Sequence, residues 1–190
     1  MSRNVPDWPP VDVEPVPVHP KAPAAGTKLG PHYSECFGCG DEVPTGLRLQ
    51  STMGDEHTVH SQFTVTAAHQ GAPGLAHGGL LAAAFDEALG ATVGYQLRQP
   101  AVTGRLETDF LRPVPVGSTL FIVGKLDGMA GRKVYVSANG HLDSEDGPIA
   151  LRARALFVIV AVEHFTTHGD KDAIAKLAAS SRKQNPELNP

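Results

Sequence analysis

The run His77-Gly78-Gly79-Leu80-Leu81-Ala82-Ala83-Ala84-Phe85-Asp86-Glu87 constrains this chain more than any other segment. It opens on a glycine pair and continues, from about Gly78 to Tyr95, as a helix that is apolar nearly all the way round. A helix of that kind has to be enclosed by the rest of its fold. Asp86 stands about two and a half turns in. A carboxylate among apolar side chains is costly unless it is paired or put to use.

The flanking sequence indicates what encloses the helix. Before it, Gly46 to Met53 and His57 to Thr66 read as strands separated by a Gly54-Asp55-Glu56 turn, with Phe63, Val65 and Ala67 alternating at period two. A loop holding Gly71, Pro73 and Gly74 leads into the helix. After it come four strand candidates, Ala101–Leu111, Ser118–Asp127, Arg132–Leu142 and Ile149–Val162, joined by turn-forming segments. Consecutive strands with short links make an antiparallel sheet rather than βαβ units. The expected class is therefore α+β: a curved antiparallel sheet of about six strands around one long central helix. Residues 1–34 are proline-rich and read as an extended arm, either loosely draped and flexible or packed on a partner through Trp8. Residues 35–165 form the domain. Residues 166–190 carry a short terminal helix, from about Asp170 to Ser180, and a tail.

The two ends of the helical run offer different chemistry. The first N–H groups of a helix lack intrahelical acceptors and carry the positive end of its dipole. Glycines at 78 and 79 let an acceptor oxygen approach them, which is how an oxyanion hole is built. The same glycines also suit a plain turn into a helix. Asp86 lies nine residues beyond His77, about 900° of rotation and ~13 Å of rise away. One helix cannot bring both groups to one reacting carbon. Two such helices, side by side and antiparallel in a two-fold dimer, can. The bland alternative for Asp86 is a buried acid bonded to backbone or to an arginine. Glu87, one position round, reads as a solvated or capping acid and as an understudy to Asp86.

Bulk properties narrow the field. A net charge of −4 gives no reason to expect a nucleic-acid partner. The longest apolar runs fall short of a membrane span, and the first residues lack a signal-peptide layout, so a soluble cytoplasmic protein is expected. Cys36-Phe37-Gly38-Cys39-Gly40 has the spacing of half a zinc site, but His32 is the only close candidate for a third ligand, so a second chain or distant histidines would have to complete it. His57, His60 and His69 read as solvent-exposed. Arg105 with Glu107 and Arg152 with Arg154 read as a polar sheet face, and no nucleophile elbow is present.

His77-Gly78-Gly79 with Asp86-Glu87-Ala88-Leu89-Gly90, the preceding Gln70–Ala76 loop, the segment Thr103–Gly117 and the hairpin Gly131-Arg132-Lys133 together resemble the hotdog-fold acyl-CoA thioesterases of the phenylacetate-pathway and thioesterase-superfamily-member type. The match runs over about residues 35 to 162, and the similar Cys-x-x-Cys-Gly…Gly-Leu run that relatives carry before their first strand implies that Cys36 to Leu47 is a structural loop. The resemblance implies a hotdog domain that dimerises, with a dimer of dimers as the larger assembly, and hydrolyses an acyl-CoA. Asp86 would be general base or nucleophile, and the Gly78 or Gly79 N–H would polarise the thioester carbonyl. His77 would hold the loop and thioester in place, and Thr103 would position water or the carboxylate. Arg132 and Lys133 would meet the coenzyme A phosphates. Several relatives carry an asparagine shortly before the HGG, where this chain offers Gln70 as a substitute contact. No metal or redox cofactor is needed, since coenzyme A belongs to the substrate. The other readings are an acyl thioester hydratase or dehydratase and a non-catalytic acyl-CoA-binding protein. Acyl-chain preference would follow pocket depth, set by Phe85, Leu89 and the strands.

Overall fold

The computed structural model describes residues 7–175. In chain order the elements are β1 (Lys28–Leu29), β2 (Gln50–Met53), β3 (Thr58–Thr64), β4 (Gln70–Ala72), β5 (Leu75–Ala76), α1 (Gly78–Leu97), β6 (Ala101–Phe110), β7 (Thr119–Ala130), β8 (Lys133–Leu142), β9 (Ile149–Ile159) and α2 (Glu163–His168). Seven strands form one sheet in the order β1-β2-β3-β7-β8-β9-β6, paired antiparallel throughout, and β4 with β5 make a separate small hairpin. This is the hotdog arrangement, with α1 packed on β3, β6, β7, β8 and β9. The sheet has one strand more than expected because Lys28–Leu29 pairs with Ser51 and Thr52.

The helix is sided after all. Leu81, Ala84, Phe85, Ala88, Leu89, Thr92, Val93, Gln96 and Leu97 are buried, while Ala82, Ala83, Asp86, Glu87, Gly90, Ala91, Gly94 and Tyr95 form a half-buried stripe. Apart from Asp86, Glu87 and Tyr95 that stripe is alanine and glycine, so it barely shows in an apolar/polar pattern. The close approaches come from glycines on the sheet. A Cβ at Gly140 would stand 2.7 Å from the Phe85 ring, and one at Gly124 would stand 2.3 Å from the Thr92 hydroxyl. By contrast nothing lies within 4 Å of a Cβ at Gly94, and only the Phe157 ring, at 3.8 Å, meets one at Gly90. Phe85 is fully buried and cannot swing aside. Gly140→Ala should therefore destabilise the fold by about 1–3 kcal/mol, read from the denaturant midpoint.

Two boundary expectations change. The arm is not loose over its described part. Trp8 Nε1 donates to Asp127 Oδ2 at 2.9 Å, its ring meets Tyr135 edge-on at 5.4 Å, and Arg154 lies over it. Glu14 then bridges Met129, and His19 N–H donates to the Gln96 carbonyl. The arm thus packs on its own sheet, where the indole finds both an apolar seat and an acceptor. Beyond β9 the chain turns into α2, a helix that the sequence reading did not expect between the last strand and the terminal helix. Residues 171–175 begin the expected terminal helix, and the rest of it and the tail lie outside the described residues. No described helix is long and apolar enough to cross a membrane.

Candidate active site

α1 starts at His77, whose extended backbone (φ −70°, ψ 130°) makes it the N-cap. Its Nδ1 accepts the Gly79 N–H at 3.0 Å, and its own N–H donates to the His69 carbonyl at 2.9 Å. His69, expected on the surface, is buried beneath this loop and accepts the Thr66 N–H. His77 therefore anchors the helix start. The Gly79 N–H, one of two expected oxyanion donors, is taken by that cap. The Gly78 N–H has no acceptor among the described residues. A Cβ there would meet only the Phe110 ring, at 3.5 Å, an ordinary contact.

Asp86 sits in the half-buried stripe and accepts the Thr103 hydroxyl at 2.8 Å. Sequence reasoning placed these two residues together, and they meet. The contact depends on a bulge. β6 slips one residue against β9 between Thr103 and Arg105, leaving Gly104 as the extra residue. Without it, Thr103 and Leu106 would point to opposite faces. With it, Thr103 reaches the helix while Leu106 packs on the core and Glu107 turns out to pair with Arg105 and Arg154. Burial pushes the Asp86 carboxyl above its ordinary range, the Thr103 hydroxyl pulls it back down, and the neighbouring Glu87 charge pushes it up again.

Both ends of the site chemistry thus lie against β6, the last strand of the sheet: Asp86 on Thr103 near its start, Gly78 beside Phe110 at its end. A cavity of about 330 Å³ opens at the Gly78 end, lined by Leu75, Gly78, Leu81, Phe110 and Leu111 among others. Phe110 and Leu111 are 53% and 46% exposed, and sequence reasoning assigned them no role although Phe110 closes a strand facing the helix start. A larger hollow of about 710 Å³, between Lys28, Arg48, His60 and Phe121, holds none of the expected site residues.

The remaining expected positions separate. Lys133 pairs with Val158, and Val158 pairs with Val102, so the Arg132-Lys133 turn stands two strand spacings, roughly 10 Å, from the Asp86 end of β6. Arg132 is exposed there and donates to the Ile159 carbonyl. Gln70 does not reach toward the helix start. Its amide donates to the Ala67 carbonyl in the short turn before β4 and accepts the Gly74 N–H in the β4–β5 turn, spending both ends on neighbouring backbone. Glu87 is neither solvated nor aimed at the Gly78 end. It reaches the loop before β2, where Oε2 lies 3.4 Å from Cys36 Sγ and Oε1 lies 3.3 Å from His32 Nδ1. In that cluster the Cys36 thiol, beside the Cys39 thiol and the His32 ring, is held down to about 3. His32 is pushed up to about 10 by Cys36 and Glu87, and Cys39 is pushed up by Cys36.

The family model of the thioesterase superfamily matches residues 73–148, from the loop before α1 through β8. Over that stretch, two fifths of its length, the chain resembles the thioesterase superfamily. Its hotdog domain is 43% identical over 70 residues to acyl-coenzyme A thioesterase THEM4 of Bos taurus, a match over 37% of this chain and 28% of that protein. The chain therefore spans well under half the length of that curated relative. Among solved structures it resembles the PaaI protein of the Escherichia coli phenylacetic acid degradation operon, at 21% identity and TM-score 0.57, over 64% of this chain and 86% of that one. It also resembles a hypothetical thioesterase of Streptococcus pneumoniae solved with coenzyme A, at 19% identity and TM-score 0.51, over 55% and 82%.

Proposed function

We propose that this protein hydrolyses an acyl-CoA thioester to the free acid and coenzyme A, in a site shared across a two-fold dimer. The observation that carries the reading is the placement of Asp86 and Gly78 at opposite ends of the sheet-edge strand β6. A 10-residue edge strand with free backbone groups is a template for pairing with a second copy. Antiparallel pairing of β6 with its two-fold mate lays the start of one strand against the end of the other. Asp86 and Thr103 then face the partner subunit's Gly78 and Phe110.

The chemistry follows from that geometry. Thr103 donates to one carboxylate oxygen of Asp86, leaving the other to orient a water. The water oxygen bonds to the thioester carbon as its proton passes to Asp86. The carbonyl oxygen becomes an oxyanion, met by the partner subunit's Gly78 N–H at the positive end of its helix. Collapse breaks the C–S bond, and the proton on Asp86 moves to the departing thiolate. The cavity beside Phe110 and Leu111 offers apolar surface to the acyl chain, and Arg132 with Lys133 offers charge to the phosphates.

The test is thiol release from a panel of acyl-CoAs by the full chain, with binding measured in parallel. Turnover of at least one acyl-CoA is expected. Tight binding across the panel without release would overturn hydrolysis in favour of an acyl-CoA-binding role.

A further inference from the structure

Four side chains of metal-ligating chemistry converge between the loop before β2 and the middle of α1: His32, Cys36, Cys39 and Glu87. Their ligand atoms all lie within 4.8 Å of one another. We propose that they form a four-coordinate zinc site that fastens this loop to the central helix.

The distances suit the ion. Zinc ligands at about 2.0–2.3 Å in a tetrahedron stand about 3.3–3.8 Å from each other. Here His32 Nδ1 is 3.3 Å from Glu87 Oε1, Cys36 Sγ is 3.4 Å from Glu87 Oε2, and Cys39 Sγ is 3.1 Å from His32 Nδ1. Two thiolates, an imidazole and a carboxylate make a borderline-soft set that favours zinc over magnesium or calcium. The half-site visible as Cys-x-x-Cys lacked two ligands; the loop's own His32 supplies one, and Glu87, 51 residues beyond Cys36, supplies the other.

The surrounding backbone is shaped for the cluster. The Gly38 N–H donates to Cys36 Sγ at 3.3 Å, the kind of outer contact that orients a thiolate ligand. The Gly40 N–H donates to the Cys36 carbonyl at 2.8 Å and closes the turn that brings Cys39 round. A Cβ at Gly38 would stand 2.4 Å from Glu87 Oε2, so a glycine there is what lets the helix carboxylate enter. The loop is then held to the domain by Leu47 and Leu49, whose N–H groups donate to the Phe37 and Gly38 carbonyls and whose side chains are buried in the core. With four protein ligands and no open position, the ion is structural. Its place one residue from Asp86 ties the loop to the part of α1 that carries the candidate base.

The experiment measures metal, so its outcome does not depend on the hydrolase reading. The full chain, purified from zinc-supplemented culture and desalted, should contain one zinc per chain. Stripped of zinc and titrated with cobalt(II), it should give the intense visible bands of a tetrahedral thiolate site. Glu87→Gln and Gly38→Ala should each weaken zinc binding by at least about 10–100-fold while the far-ultraviolet dichroism stays native, because each alters the site without removing a thiolate. Zinc at background level, a Cys36–Cys39 disulfide in the fresh protein, an octahedral cobalt spectrum, or undiminished zinc affinity in Glu87→Gln would each overturn the proposal.

Discussion

Asp86→Asn should lower thiol release by about 10²–10⁴-fold, the range expected when a positioned general base is removed. The substitution keeps the shape of the side chain and leaves an amide oxygen to accept the Thr103 hydroxyl, so the 2.8 Å contact that locates it can persist. It removes only the capacity to take a proton from water. The loss should therefore fall on kcat, with KM for the acyl-CoA little changed, because in the proposed mechanism the carboxylate acts on the water rather than on the bound thioester. Asp86 is half-buried and bonded to a side chain, not to a salt-bridging arginine. Neutralising it thus strips no buried cation of its partner, and the melting temperature should hold within a few degrees. Activity within a few-fold of wild type would remove Asp86 from the mechanism.

The parts of this fold that were legible are those set by local spacing. The antiparallel strands around α1 show in period-two runs separated by turn residues, and the helix shows in its uninterrupted apolar run. Asp86 and Thr103 could be paired because the family resemblance put them on neighbouring elements. Three features could not be read, each for a physical reason. The open stripe of α1 is mostly alanine and glycine, which an apolar scale counts as core, so the helix looked enclosed on nearly every side. The bulge at Gly104 changes which face Thr103 presents, and one glycine in a strand does not announce a slip in register. Glu87 lies 51 residues from Cys36, so no spacing rule connects them; only the fold brings the carboxylate to the thiol. Gln70 fails differently. A free side-chain amide before the HGG was available for substrate, but the backbone of the turns on either side of β4 takes both of its ends.

Gly78→Pro should abolish nearly as much activity as Asp86→Asn while leaving the fold intact, and a hybrid of the two should recover it. Proline removes the Gly78 N–H, the donor proposed to meet the oxyanion, at the first helical position, where proline is favoured because that N–H has no intrahelical acceptor. His77 already holds the extended conformation (φ −70°, ψ 130°) that a residue before proline prefers. A Cβ at 78 meets Phe110 at an ordinary 3.5 Å. The melting temperature should thus stay near wild type as kcat falls by about 10²–10³-fold, the effect of losing one oxyanion donor. Differently tagged Asp86→Asn and Gly78→Pro chains, co-expressed and purified through both tags, then decide whose N–H serves whose carboxylate. In a shared site one half of the hybrid combines both lesions and the other half has neither, so each hybrid dimer should show about half of wild-type activity. If Asp86 and Gly78 of one chain served the same carbon, each hybrid site would carry one lesion, and activity would stay at the mean of the two inactive parents. Helical rise sets Gly78 and Asp86 of one chain ~12 Å apart, farther than one tetrahedral carbon can bridge, which is why recovery is the expected result.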